Sequence, residues 1–175
     1  MNIKNRKLFN LVKEIFIEHK LSSVHAKISA RALINAEIVG AYGHGLSRLK
    51  MYCDRLKKKL INPNPKIKIK KISQSISHID ADNSIGFVGA DVAIKKAIQN
   101  AQKTGIGLVA VKNSGHYGLS GYYAEQAVKK NLVTMIYTNA PPAIAPHGSL
   151  KSLFGTNPIC FGSPSGSKAP FILDT

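Results

Sequence analysis

Ile106-Gly107-Leu108-Val109-Ala110-Val111-Lys112-Asn113-Ser114-Gly115-His116-Tyr117-Gly118-Leu119-Ser120-Gly121-Tyr122-Tyr123 is the stretch on which the fold turns. Its apolar opening, Ile106 to Val111, reads as a buried strand. The run stops at a turn of small residues, and a helix-like stretch follows over 119–130. Strand, turn and helix in that order form the repeating unit of α/β architectures. His116 lies in the turn among glycines, at the end of a strand, where such folds present their ligands. Imidazole moves protons near neutral pH, and a glycine turn leading into helix amides suits a phosphate or a carboxylate. The turn is therefore expected to bind an anionic molecule and to exchange a proton with it.

Working backwards, Thr104-Gly105 ends a helix that begins near Gly86 and buries Ile94, Ala97, Ile98 and Ala101. Asp82-Asn83-Ser84 is expected to supply a turn and a cap. Residues 76–80 read as a strand, and so do residues 66–73, where Lys66, Lys68 and Lys70 alternate with isoleucines and fall on one face. Asn62-Pro63-Asn64-Pro65 reads as a linker. Everything before it is helical. Leu8, Leu11, Val12 and Ile15 have helical spacing within residues 3–20. Ser22 or Ser23 caps a second helix reaching about Gly40, with Ile28, Ala32, Ala36 and Val39 on a narrow face. Gly43-His44-Gly45 breaks it. A third helix, from Ser47 to about Leu60, places Leu49, Tyr52, Cys53 and Leu56 on one side. Downstream, Leu132 to Tyr137, Ile159 to Gly162 and Phe171 to Leu173 read as strands around a long irregular stretch. Two domains are expected, a helical one over 1–62 and a second over 63–175. The last residues, Phe171-Ile172-Leu173-Asp174-Thr175, read as a strand entering a loop, so the fold is expected to continue and the chain to be a truncated or partial form.

A chain of 175 residues with 44% hydrophobic content is long enough for one sizeable domain or two small ones. Its apolar runs are too short to span a bilayer, and Lys13, Glu14 and Glu18 interrupt any secretory-type core, so a cytoplasmic location is expected. Cys53 and Cys160 lie too far apart for a CxxC motif and sit in apolar contexts, which makes them buried small hydrophobes. No metal-ligand spacing such as HExxH occurs. The formal net charge of +16 creates a field that attracts polyanions. It keeps a second reading open, that of a basic nucleic-acid-binding protein or a non-catalytic remnant. No recognition helix, RNP-like segment or finger accompanies the charge, and alternating lysines also protect an edge strand from aggregation.

Three motifs carry chemistry. The first is the His116 turn. In the second, Gly43-His44-Gly45-Leu46-Ser47-Arg48, a histidine stands four residues before an arginine, and the two can face one pocket. Arg48 can grip a carboxylate through two parallel hydrogen bonds, and a histidine beside that grip is what reduction of a 2-oxo acid needs. The third, Gly155-Thr156-Asn157-Pro158, is a glycine turn bearing a hydroxyl and an amide. His19, His25, His78 and His147 are expected to be structural or exposed. No GxGxxG follows the first strand, so the Rossmann fingerprint is absent.

These motifs, with Asp80-Ala81-Asp82-Asn83, Thr138-Asn139-Ala140-Pro141-Pro142, Ala145-Pro146-His147-Gly148 and Leu173-Asp174-Thr175, resemble in order and spacing the malate/L-lactate dehydrogenase family, which also includes ureidoglycolate, sulfolactate and diketogulonate enzymes. The resemblance implies an α/β fold with a small helical domain and a non-Rossmann cofactor domain, the latter a largely antiparallel mixed sheet with flanking helices. It implies an oxidoreductase that transfers a hydride between NAD or NADP and a 2-hydroxy or 2-oxo acid such as malate, lactate or ureidoglycolate, and that works as a homodimer. Residue by residue, it makes His44 or His116 the proton carrier, and Arg48 and Thr156 substrate contacts. It makes His116, Tyr117, Gly118, Leu119, Ser120, Ala140, Asp174 and Thr175 cofactor contacts. Two positions depart from the family pattern. Gly43 stands where a hydroxyl residue often precedes the His-Gly pair, and Ala140 stands where a serine is frequent. Family members are about twice as long as this chain.

Overall fold

The computed structural model describes residues 5–166 and 169–175. Residues 3 and 4, the expected start of the first helix, lie outside the described residues. Five α-helices and two three-stranded sheets among the described residues make a mixed α/β fold. Its contacts divide the chain into two compact units, Met1–Tyr123 and Ala124–Thr175.

The first unit opens with α1 (Asn5–Glu18) and α2 (Ser23–Ile38). Ser22 caps α2, its hydroxyl accepting the His25 amide hydrogen at 3.2 Å. α1 buries Val12 and Phe16, while Leu11, expected on the same stripe, is exposed. α2 packs against α1 and buries small residues, Ala26, Ala30 and Ala36. Two 3-10 turns, Tyr42–His44 and Leu46–Arg48, lead into α3 (Leu49–Lys57), which buries Tyr52, Cys53 and Leu56. Val12, Phe16, Leu33, Tyr52 and Leu56 form one apolar cluster with Ile85, Phe87 and Val88. The helical segment and the start of the α/β segment thus share a core.

That α/β segment comprises β1 (Lys68–Lys71), β2 (Ile76–Ser84), α4 (Gly86–Thr104) and β3 (Leu108–Ser114). β1 runs antiparallel to β2, with Lys68 opposite Asp80, and β2 runs parallel to β3, with Ile76 opposite Leu108. α4 is the crossover between the parallel pair. It packs against β2, β3 and α2, and ends at Gly105 in the left-handed region (φ 81°).

Four local expectations need correction. Asp82-Asn83-Ser84 belongs to β2 and caps nothing. Asp82 (φ 51°) and Asn83 (φ 53°) are left-handed and make an irregularity between Asp80 and Ser84. The Asp82 carboxylate there accepts the Asn62 side-chain amide at 3.0 Å and the Lys66 amide at 2.8 Å, and so ties down the Asn-Pro linker. β3, expected to be buried, is exposed along most of its length, because within this unit it is the edge strand. β1 is also an edge strand, and Ile69 is as exposed as its lysine neighbours. On α4 the first half is the buried one: Phe87, Val88 and Ile94 are buried, whereas Ala97, Ile98 and Ala101 are only half-buried.

In the second unit β4 (Thr134–Tyr137), β5 (Ile159–Ser163) and β6 (Phe171–Asp174) form an antiparallel sheet in that order, with Thr134 opposite Gly162 and Cys160 opposite Asp174. α5 (Gly121–Val128) contains the division between the units. Ala124, Ala127, Val128 and Cys160 are buried. Both cysteines are free and buried, as expected. Among the described residues no helix is long and apolar enough to cross a membrane.

Candidate functional site

The connection between α2 and α3 is built to display its side chains. Glu37, in the last turn of α2, accepts the Leu46 amide hydrogen at 3.0 Å, and Gly45 lies so close that a Cβ there would collide with the Glu37 carboxylate. Ser47 donates to the Tyr42 carbonyl at 2.6 Å. Arg48 donates through Nε to the Gly43 carbonyl at 2.8 Å. That bond engages Nε and leaves the terminal guanidinium nitrogens on an exposed side chain. His44 and Arg48 are both exposed. Gly43 has open space where a side chain would project, so the missing hydroxyl is not a steric necessity.

The second half of the cluster comes from the loop after β3. β2 and β3 are parallel, so the start of α4 and the loop 115–118 emerge from neighbouring strand ends. They are in contact: a Cβ on Gly86 would collide with the Gly115 and His116 carbonyls. Gly118 (φ 81°) packs against the Phe87 ring, where an added Cβ would stand 2.8 Å from Cε1. Pinned in this way, His116 is half-buried. Tyr52 Oη lies 2.6 Å from its Nδ1, and the Gly118 amide donates to the same nitrogen at 3.3 Å. The rings of His44 and His116 are nearly parallel (10°), with centroids 5.9 Å apart. Two histidines far apart in sequence and an arginine on the next turn are thereby brought together inside one unit.

Charge follows from this geometry. Burial, and then the electrostatic influence of His44, Arg48 and Arg55, push the His116 imidazole down to about 4, so it is neutral at pH 7. Burial holds the Tyr52 phenol well above its ordinary value against the pull of Arg48 and Arg55, so it keeps its proton. A neutral imidazole among cationic neighbours is a setting that favours an anionic ligand.

The other expected residues divide between the units. In the first, Tyr117 and Ser120 hydrogen-bond through their hydroxyls at 3.0 Å, the Tyr123 hydroxyl donates to the Tyr117 carbonyl at 3.0 Å, and Ser120 is buried. Leu119 is half-buried. In the second, the Ala140 amide donates to the Asn157 side chain at 2.9 Å and its carbonyl lies against Gly155. The backbone N–H that would replace a serine hydroxyl is therefore already engaged within the chain. Thr156 is exposed in the same turn. Thr175 donates through its hydroxyl to the Ile159 carbonyl at 3.0 Å, and Asp174 is half-buried opposite Cys160. His19 is bound through Nδ1 to the Ile15 carbonyl at 2.8 Å, His25 is half-buried in the first turn of α2, and His78 and His147 are exposed.

Three residues escaped the reading of the sequence as site components. Tyr52 was placed on a buried helix face, but its partner is far away in the chain. The one available hint was a hydroxyl-bearing ring on an otherwise apolar stripe. Glu37 gave no local signal. Asn157 was visible in its motif, though not as the side chain that holds Ala140.

The sequence profile of the malate/L-lactate dehydrogenase family matches residues 3–175, and the chain belongs to that family. It is 40% identical over 174 residues to malate dehydrogenase of Pyrococcus abyssi, covering 99% of this chain and 48% of that protein. It is 37% identical over 164 residues to L-sulfolactate dehydrogenase of Methanocaldococcus jannaschii, covering 94% of this chain and 47% of that one. The solved malate dehydrogenase of Pyrococcus horikoshii superposes with a TM-score of 0.95 at 35% identity, over 100% of this chain and 50% of that chain. More distant relatives are named (2R)-3-sulfolactate dehydrogenase (NADP(+)), from Chromohalobacter salexigens, and ureidoglycolate dehydrogenase (NAD(+)), from Escherichia coli. The chain spans about half the length of the curated relatives it matches.

Proposed function

We propose that this chain carries the proton-handling and carboxylate-binding part of an NAD- or NADP-dependent 2-hydroxy-acid dehydrogenase acting on a malate-, lactate- or ureidoglycolate-like substrate. The observation that carries the reading is the meeting of His44, His116 and Arg48 in one unit, with the two rings parallel and 5.9 Å apart. In this reading the terminal nitrogens of Arg48 hold the substrate carboxylate, and one of the two imidazoles exchanges the proton at the C2 oxygen. The bound nicotinamide supplies or accepts the hydride. The residues present suit such a group in part. Loop 116–120 is held rigid by Gly86, Gly118 and the Tyr117–Ser120 bond, whereas Ala140 offers no free amide. Thr156 as a substrate contact, and Asp174 and Thr175 as cofactor contacts, belong to the same proposal. So does a division of labour in which residues 1–62 supply His44 and Arg48 while residues 63–175 supply the cofactor-facing groups. A homodimer in the cytoplasm completes the reading.

The test is binding and turnover. Oxamate, a 2-oxo-acid mimic, should bind the chain in a titration calorimeter, and Arg48→Ala should weaken that binding by about tenfold or more, the loss of a bidentate charge-assisted contact. In a form that turns over, Arg48→Ala should raise KM and lower kcat. Unchanged 2-oxo-acid kinetics would remove Arg48 from the site.

A further inference from the structure

The geometry around His116 separates the two histidines. Its Nδ1 is approached by two groups, Tyr52 Oη at 2.6 Å and the Gly118 amide at 3.3 Å. A phenol can donate or accept. A backbone amide can only donate, so Nδ1 is the nitrogen with the lone pair, and Tyr52 donates to it as well. A neutral imidazole has one ring proton, which must then sit on Nε2. We propose that Tyr52, seconded by the Gly118 amide, is a positioning residue that locks His116 as its Nε2–H tautomer, so that His116 serves as a fixed hydrogen-bond donor to the substrate oxygen and leaves proton exchange to His44.

The chemistry follows from the balance of protons. When a hydride reaches C2 of a 2-oxo acid, the carbonyl pair moves onto oxygen and an alkoxide develops. His116 Nε2–H stabilises that charge as a donor without surrendering its proton, since losing it would leave an imidazolate. The proton that completes the hydroxyl comes from the imidazolium form of His44, which becomes neutral. In the oxidising direction Nε2 of His116 has no lone pair to receive the hydroxyl proton, and neutral His44 takes it. Rigidity supports the assignment. Tyr52 is 1% exposed, and its ring is held against Phe87 at a centroid distance of 4.8 Å, so the phenol is aimed by the core of the first unit. The neutrality of His116 at pH 7 agrees with it.

The mechanistic half of this inference rests on the dehydrogenase reading, whereas the tautomer does not. Two-bond ¹H–¹⁵N correlation spectra of the ¹⁵N-labelled chain at pH 7, with His116 assigned by its absence in His116→Gln, should show the Nε2–H pattern. An Nδ1–H pattern in the wild-type chain overturns the proposal without any variant having to fold. Tyr52→Phe keeps the ring against Phe87 and removes the donor. The Nδ1–H form should then rise by about tenfold relative to the other tautomer, the worth of a buried hydrogen bond, and an unchanged tautomer ratio removes Tyr52 from the role. In a form that turns over, Tyr52→Phe should lower kcat by about tenfold or more and leave KM for the 2-oxo acid within about twofold. A change confined to KM would show that Tyr52 acts on substrate binding and not on the developing alkoxide, and would overturn the proposed role. If no 2-oxo acid is turned over, the dehydrogenase reading fails while the spectra still decide the tautomer.

Discussion

The two compact units hold their candidate site groups by different means. In Met1–Tyr123 the groups are side chains, and the His116 loop has the core behind it. His116 leans on buried Tyr52, its loop packs on buried Phe87, and the turn carrying His44 and Arg48 is braced by Glu37. In Ala124–Thr175 the groups lie in exposed turns, and what fixes them is hydrogen bonding to backbone: Asn157 to Ala140, and Thr175 to Ile159. The difference teaches where precision comes from. An imidazole serves as a fixed hydrogen-bond donor only if its ring is aimed, and a packed ring aims another ring better than a turn can. A backbone amide or carbonyl needs only the right local conformation, which left-handed residues such as Asn157 (φ 43°) provide without a core.

This contrast is easiest to break with two phenylalanines. Phe87 is fully buried in the first unit, whereas Phe171 is 56% exposed in the second. Phe87→Ala should cost about 3–5 kcal/mol in urea unfolding, by loss of transfer energy and creation of a cavity. Phe171→Ala should cost less than about 1 kcal/mol. Equal losses would mean that the second sheet has a core of comparable worth and that the contrast is wrong.

Two left-handed glycines sharpen it further. Gly118→Ala meets both an unfavourable φ of 81° and the Phe87 ring, for an expected cost of about 1–3 kcal/mol and a displaced His116 resonance. Gly148→Ala has a similar φ, 76°, but nothing within 4 Å of the new Cβ. Its cost should be conformational only, about 1 kcal/mol. If the two are equal, Phe87 does not pin the His116 loop. Within the second unit, Asn157→Ala removes the acceptor of the Ala140 amide. About 1 kcal/mol of local protection should go with it, seen as roughly fivefold faster hydrogen exchange at Ala140. Unchanged exchange would mean that the turn is held by something else.

How much of this was readable beforehand follows from the range of the interactions. The helices were legible because α1, α2 and α3 carry their own periodicity and, in Ser22, their own cap. The α4 terminus was legible because Gly105 marks it locally. His44, Arg48 and His116 were legible as candidates because each stands in a glycine turn next to an element end. Their convergence was not, since it depends on β2 and β3 running parallel and setting the 115–118 loop beside the start of α4. The exposure of β3 was equally hidden: an apolar run looks the same in the middle of a sheet and at its edge. Asp82 misled for a physical reason. An Asx residue that accepts backbone hydrogens within a strand irregularity has the same sequence signature as one that caps a helix. Tyr52 was rightly put in the core, yet nothing local could say that its hydroxyl meets an imidazole across the chain.

The smallest effect tests the same arrangement through acid. His116 is held neutral in the folded chain and pushed down to about 4, from an ordinary value near 6.5. Between those values the unfolded chain binds a proton at this position and the folded chain does not, so acidification favours unfolding. The contribution of His116 to stability should therefore be whole above about pH 6.5 and decline as pH falls towards 4. The ring is only half-buried, so its charged form keeps part of its hydration and the loss should stay near or below about 1 kcal/mol. The informative quantity is the difference between wild type and His116→Gln. Urea midpoints at pH 4.5 and pH 7 should fall more for wild type than for the variant. A variant that falls as much as wild type would show that His116 is protonated in the folded chain at acid pH. Tyr52 and Gly118 would then not be holding its Nδ1 as an acceptor, and the first unit would aim this imidazole no more firmly than the second unit holds its turns.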